Sequence, residues 1–211
     1  MLPDLLRPGA AAPGLEAALP WLIGIFLVAY LLGSIPFGVI ISRLAGLGDL
    51  RRIGSGNIGA TNVLRTGNKR AALATLLLDG GKGAAAVLIA RYFYGDFAAQ
   101  IAGLGAFIGH LYPIYLRFRG GKGVATFIGI WLAIAPMVGL LICATWLLMA
   151  VLSRYSSLSA LVASLSSPIW LAVLNHHDSI WLSVLLALFL WWRHRDNISR
   201  LLQGRESKIG Q

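Results

Sequence analysis

The chain has 211 residues, 57% of them hydrophobic and 12% charged, with a mean hydropathy of +0.75. A soluble domain of this size cannot cover so much apolar surface with polar groups, so the composition excludes a water-soluble globule and places the chain in a bilayer. Eighteen Lys and Arg against eight Asp and Glu give a net charge of +10; in so apolar a chain this fits cytoplasmic loops, anionic head groups or phosphorylated substrates, and not nucleic acid.

The first apolar segment, residues 21–41, follows a weakly charged stretch with Asp4, Arg7 and Glu16 and precedes no small-residue cleavage pattern, so it reads as a membrane span and not a signal peptide. Residues 1–20 are expected to form a poorly ordered extracytoplasmic N-terminus. Within the span, Gly33-Ser34-Ile35-Pro36 interrupts helix bonding, because Pro36 has no N–H and frees the carbonyl of Leu32. Ser34 then offers a lining hydroxyl, or packs as a small residue at a helix contact. Arg43 would lie about 13 Å further along a straight helix on the opposite face, so it and Ser34 share one site only if the helix bends or unwinds.

Further apolar runs occupy 71–94, 97–116, 124–152, 158–174 and 180–192, most of them near the ~20 residues that cross hydrocarbon. No polar stretch is long enough for a second core, which leaves a single domain over residues 1–211. Cys143 is the only cysteine and lies in an apolar run, so no disulfide framework or Cys-based metal site is expected. Arg43, Arg51, Arg52, Arg65, Lys69 and Arg70 mark the loop at 43–70 as cytoplasmic, whereas the turns at Asp96 and at Asn175-His176-His177-Asp178 lack such a cluster. Arg117, Arg119 and Lys122, then Arg154, then Arg193, Arg195, Arg200, Arg205 and Lys208 belong on the same side. Lys122 and Arg154 can both be cytoplasmic only if the run between them goes out and returns, and Pro136 divides it. The expected architecture is an all-α polytopic membrane protein with seven transmembrane segments, N-terminus outside and C-terminus cytoplasmic, 124–152 forming a short helical hairpin. Five spans plus a re-entrant element is the alternative.

Unusual composition gathers on the cytoplasmic side. Residues 54–65 read Gly54-Ser55-Gly56-Asn57-Ile58-Gly59-Ala60-Thr61-Asn62-Val63-Leu64-Arg65. Such a loop can turn successive amides toward a phosphate through φ > 0 steps at glycine, or serve as a flexible linker. No strand precedes it, so neither a dinucleotide fold nor a Walker A loop is supported. Gly80-Gly81-Lys82-Gly83 recurs as Gly120-Gly121-Lys122-Gly123, each copy read as opening a helical run where lysine and free N–H groups bind an anion, or where lysine merely snorkels. Asp79 is expected to pair with Lys82 or another cation, or to lie nearer the interface than the span boundaries suggest. His194 and Asn197 share a helical face near Arg200, and His110 is a weaker candidate. His176-His177-Asp178 falls on the outer side, where a metal site would have little else to support it.

These residues resemble the bacterial integral-membrane acyl-phosphate:glycerol-3-phosphate acyltransferases over residues 33–206. The likeness rests on Gly33-Ser34-Ile35-Pro36-Phe37-Gly38 with Arg43, the 54–65 loop, Gly109-His110 leading to Gly120-Gly121-Lys122-Gly123, and His194-Arg195-x-Asn197-Ile198-x-Arg200-Leu201 with Gly204 and Glu206. It implies a multi-pass enzyme of the bacterial inner membrane that works at the cytoplasmic face without a cofactor or metal. Such an enzyme moves a fatty acyl group from acyl-phosphate, not acyl-CoA or acyl carrier protein, to the 1-hydroxyl of glycerol 3-phosphate, giving lysophosphatidic acid. Membrane lipids are its surroundings; the sequence carries no signature of oligomeric state. The expected catalytic residues are Ser34, Arg43, Lys122, His194 and Asn197. The expected substrate-binding residues are Gly54, Ser55, Gly56, Asn57, Gly59, Thr61, Asn62, Arg65, Gly120, Gly121, Gly123 and Arg200, with Glu206 structural.

The residues read on their own agree with this chemistry. An acyl-phosphate carries its own leaving group, so the protein needs to position phosphates and stabilise an oxyanion more than to supply a nucleophile. The hydroxyl proton goes either to His194 or to the substrate's phosphate. The competing class is a transporter or exchanger of phosphorylated metabolites, which would place its site near the midplane.

Overall fold

The computed structural model describes residues 15–210. Residues 1–14 of the expected disordered N-terminus lie outside the described residues, while 15–20 already belong to the first helix. The elements are α1 (Leu15–Gly33), α2 (Phe37–Leu44), α3 (Ala60–Leu64), α4 (Lys69–Leu111), α5 (Val124–Ile134), α6 (Pro136–Ser153), α7 (Ser156–Val173), α8 (Ile180–Arg193) and α9 (Arg195–Leu202), with no strand among the described residues. Four stretches, Glu16–Leu44, Lys69–Leu116, Pro136–Ser153 and Ser156–Val173, are long and apolar enough to cross a membrane, and Val124–Ile134 is apolar but short.

The first apolar segment is not one rod. α1 stops at Gly33 and α2 restarts at Phe37, as Pro36 requires. Ile35 N takes the carbonyl of Leu32 at 3.2 Å. Ile35 O accepts from Phe37 N at 3.1 Å and from Lys82 Nζ at 2.8 Å, partners outside the regular helical ladder.

α4 is two antiparallel arms, 69–94 and 96–111, joined at Gly95, whose φ of 83° and ψ of −173° only glycine adopts readily. Ala86 and Ala90 of the first arm meet Ala102 and Ala106 of the second and Ala29 of α1 in one buried cluster, small side chains letting three backbones approach. The Gly80-Gly81-Lys82-Gly83 copy lies in the middle of the first arm and opens no helix, contrary to the sequence expectation. Gly80 and Gly83 form a packing face instead. A Cβ on Gly129 of α5 would overlap the carbonyl of Gly80, and one on Gly83 would sit 3.0 Å from the Thr126 methyl.

α5 and α6 meet at Ala135, an extended residue before Pro136, which occupies the first turn of α6. The far end of α5 is closed by Arg91, which donates to Ala133 O at 2.6 Å and Ile134 O at 3.0 Å and pairs with Asp96 at 2.8 Å. The other ends of the pair lie together: Gly123 beside Lys122, and Arg154, whose carbonyl accepts from Ile209 N at 2.7 Å in the C-terminal segment that also reaches Asn197. α5 and α6 therefore run in opposite directions, the hairpin expected from Pro136. The main core lies around α5, where Phe127 stands edge-on to Phe107 and Trp131 at 6.4 and 6.2 Å.

The Gly80–Gly129 crossing gives a stability prediction. Gly129→Val is expected to lower the unfolding midpoint of the purified protein by several degrees or to prevent folding, since overpacking costs about 1–3 kcal/mol or more. Gly24→Ala in α1, with open space around it, is expected to leave the midpoint unchanged or slightly raised. Thermal unfolding of both variants in one detergent checks this; equal midpoints would refute it.

Candidate active site

A cleft of about 750 Å³ lies where the 54–65 loop, the 120–123 segment, the α8–α9 junction and the C-terminal segment converge. Its polar end is walled by Ser55, Asn57, Thr61, Lys122, His194 and Asn197. Its apolar part runs between the first arm of α4, α5 and α6, along Leu73, Leu76, Ile128, Leu132, Trp146 and Leu147. A cationic, hydrogen-bonding end and an apolar trough thus share one cavity.

Lys122 is placed from both sides. Its Nζ donates to Asn197 Oδ1; Asn197 Nδ2 donates to Glu206 Oε1. Glu206 also accepts from Ser157 Oγ at 2.7 Å and from Arg200 Nε at 2.7 Å. A carboxylate accepts and an ammonium donates, so the two ends of this chain dictate which way the Asn197 amide faces. Burial pushes the Lys122 ammonium down to about 8, with the Glu206 carboxylate opposing. Burial also disfavours the charged form of Glu206, but hydrogen bonds from Asn197, Ser157 and Arg200 outweigh it and hold the carboxyl below its usual range. After Lys122, Gly123 caps α5 at φ 85°, and no side chain caps the first amides of that helix. These amides and Lys122 offer a ready anion site at the cleft wall.

His194 sits at the α8–α9 junction, 2% exposed. Its Nδ1 lies 2.8 Å from Leu190 O, which can only accept, so Nδ1 carries the proton and Nε2 is the ring's acceptor. Burial first, then the neighbouring Lys122 charge, pushes the imidazole down to about 4. The ring is neutral at pH 7, an acceptor and only a weak base.

The 54–65 loop is held from within. Asn62, 1% exposed, accepts from Ser55 N at 3.2 Å and donates to Leu50 O at 2.9 Å. Gly54 and Gly56 have φ of 50° and 67°. Gly59 does not take the positive-φ step expected of it: at φ −83° it serves as the N-cap of α3. Ser55, Asn57, Gly59, Thr61, Asn62, Arg65 and Gly123 line the cleft with Lys122, His194 and Asn197.

The remaining expected residues lie elsewhere. Ser34 is fully buried with its Oγ turned back to Tyr30 O at 2.8 Å, and Arg43 is exposed on the last turn of α2. A Cβ on Gly54 would meet Asn62 Oδ1 at 2.6 Å and the Arg65 side chain at 2.7 Å, and one on Gly56 would lie 3.2 Å from Arg51 O. Gly120 and Gly121 press against His110, and their carbonyls accept from Arg193 at 2.9 and 3.1 Å. Arg200 is engaged by Glu206.

Several wall residues had no distinctive sequence signal. Ser157, Ser207, Ile209 and Trp146 enter the cleft only through folding. Asp79 and His110 also reach it; Asp79 Oδ1 lies 2.8 Å from Lys82 Nζ and 3.6 Å from His110 Nδ1, and a charged pair inside an apolar run was the clue to that cluster.

Residues 23–204 match the family model described as glycerol-3-phosphate acyltransferase. The chain is 58% identical over 199 residues to a glycerol-3-phosphate acyltransferase of Cereibacter sphaeroides, covering 94% of this chain and 95% of that one. It is 58% identical over 185 residues to its namesake in Agrobacterium fabrum, covering 88% and 90%. The crystal structure of PlsY (YgiH), an integral membrane glycerol 3-phosphate acyltransferase, in its glycerol 3-phosphate form superposes with a TM-score of 0.85 at 39% identity, covering 90% of this chain and 96% of that one. The lysophosphatidic acid form of PlsY gives a TM-score of 0.84 at 38% identity. Likeness along nearly the whole chain, in sequence and in fold alike, means that the chain belongs to the glycerol-3-phosphate acyltransferase family.

Proposed function

We propose that this acyltransferase takes its acyl group from acyl-phosphate and passes it to the 1-hydroxyl of glycerol 3-phosphate, giving lysophosphatidic acid and phosphate. In this reading it works at the cytoplasmic face of a bacterial inner membrane, with α1, both arms of α4 and α5 to α8 as seven membrane segments, N-terminus outside. The observation that carries the proposal is the single cleft that joins an apolar trough to the Lys122–Asn197–His194 end. An acyl-phosphate has that shape: a long hydrocarbon ending in a dianion, with the reactive carbonyl at the junction.

The hydroxyl oxygen attacks the acyl carbon while the bond from that carbon to the phosphate oxygen breaks. Lys122 and the α5 amides hold phosphate charge as it departs. His194 Nε2 accepts from the attacking hydroxyl and orients it. With the imidazole pushed down to about 4, the stronger base present is phosphate itself, and the proton ends on the phosphate that leaves. No covalent enzyme intermediate is required.

The purified full-length chain, supplied with glycerol 3-phosphate and palmitoyl-phosphate, is expected to form lysophosphatidic acid and phosphate in equal amounts, and none from palmitoyl-CoA. Flux across sealed vesicles without product would replace the enzyme with a transporter.

Lys122 sets an alkaline limit. Its pKa is lowered to about 8, so as pH rises through that value the ammonium loses its proton and phosphate loses its partner. The kcat/KM profile of the free enzyme is expected to fall above about pH 8, and Lys122→Arg, which stays charged, is expected to move that limb upward in whatever activity it retains. An unmoved limb would assign it to another group.

The orientation is checked by labelling. A cysteine at Arg154 in a Cys143→Ala background is expected to react with an impermeant thiol reagent from the cytoplasmic side alone; labelling from outside intact cells would invert the topology.

A further inference from the structure

Arg193 does not line the cleft, yet its guanidinium holds the backbone that carries Lys122. Nε donates to Gly121 O at 3.1 Å and Nη2 to Gly120 O at 2.9 Å. The guanidinium carbon lies 5.4 Å from the centre of the Tyr112 ring. Tyr112 is itself tied to α1, its carbonyl accepting from Tyr30 Oη at 2.7 Å. The clamp therefore spans the bundle from α8 to α1.

A trans peptide points its carbonyl and the following N–H in opposite directions. Holding Gly120 O turns Gly121 N–H away from Arg193, where it meets His110 O at 3.1 Å. Holding Gly121 O turns Lys122 N–H away in the same manner. Two consecutive peptide planes are thus fixed by one rigid fork, at glycines that carry no side chain of their own to hold them. Four residues after Arg193, Asn197 takes the Lys122 ammonium. The α8–α9 junction grips the Lys122 segment at its backbone and again at its side-chain tip, with His194 between the two grips.

We infer that Arg193 is a positioning residue for acyl transfer, fixing the Lys122 ammonium relative to the His194 ring through the carbonyls of Gly120 and Gly121. The inference rests on the acyl-transfer reading above. Lysine keeps the charge of Arg193 but has no planar fork to span two carbonyls, so charge alone does not restore the function.

The test compares the parent, Arg193→Lys, Lys122→Ala and the double variant as full-length proteins in one detergent, assayed with glycerol 3-phosphate and palmitoyl-phosphate. Arg193→Lys is expected to lose roughly 10- to 100-fold in kcat/KM, the scale of a lost hydrogen bond to a charged group, with its unfolding midpoint close to the parent's. In the Lys122→Ala background the same change is expected to cost little more, because the group it positions is gone. Where Lys122→Ala turns over too slowly to follow, the rise in unfolding midpoint with saturating glycerol 3-phosphate is read instead, and is expected to shrink in Arg193→Lys. Parent-like kinetics, an equal fold-loss in both backgrounds, or an undiminished ligand-induced rise would overturn the positioning role. An inactive parent would overturn the acyl-transfer reading itself, which the variants do not address.

Discussion

The site depends on one lysine ammonium placed where little water reaches it. Such a charge must be paired or it loses its proton. A carboxylate in direct contact would keep it protonated and also cancel the charge a phosphate needs. Here the contact is the neutral Asn197 oxygen, and the carboxylate stands one residue behind, at Glu206. Asn197 passes on orientation without passing on full neutralisation. Glu206 is in turn shared among Ser157, Asn197 and Arg200, so its negative charge is spread over the junction of α7, α9 and the C-terminal segment. The lowered ammonium is the electrostatic mark of this arrangement: it holds its proton at neutral pH with little in reserve.

The same demand that every buried polar group find a partner shapes the scaffold. The chain breaks its helices at two prolines, Pro36 and Pro136, and each break takes carbonyls out of the regular helical ladder. A cation from the first arm of α4 serves each one: Lys82 at Ile35 O, and Arg91 at Ala133 O and Ile134 O. Each cation has its own carboxylate, Asp79 or Asp96. The breaks are structural joints, and both bear on the cleft: one holds the turn that launches α2 and the glycine loop, the other keeps α5 short and lets α6 return beside it.

Much of this was legible in the residues because it depends on chemistry within a few positions. Pro36 and Pro136 announce helix breaks, hydropathy marks the runs, and Gly54 and Gly56 take the positive φ that a glycine-rich loop suggests. The two Gly-Gly-Lys-Gly copies show where local reading ends. The string at 120–123 caps a helix; the same string at 80–83 lies inside one, because Gly129 of α5 arrives from across the bundle to use its small face. Nothing between residues 79 and 84 contains that information. Gly59 departs from the glycine-loop pattern for a similar reason: the start of α3 sets its φ. Ser157 meets Glu206 across 49 residues, and Arg193 meets the carbonyls of Gly121 and Gly120 across 72 and 73, separations that neither spacing nor periodicity reports.

The weak basicity of His194 bears on the kind of reaction such a site can run. An enzyme that builds its own nucleophile needs a base near neutrality and a third group to orient it. This imidazole has been moved the other way, by burial and by the Lys122 charge beside it, and its Nδ1 is committed to Leu190 O. What remains is an acceptor aimed from a rigid junction. That suffices when the acyl donor arrives already activated and its leaving group can take the proton as it departs. In the acyl-transfer reading proposed above, a thioester donor would bring no dianion at the reacting carbon for Lys122 and the α5 amides to hold. In that reading, a cation and a weak base in one wall suit a donor whose phosphate supplies both the anchor and the final resting place of the proton.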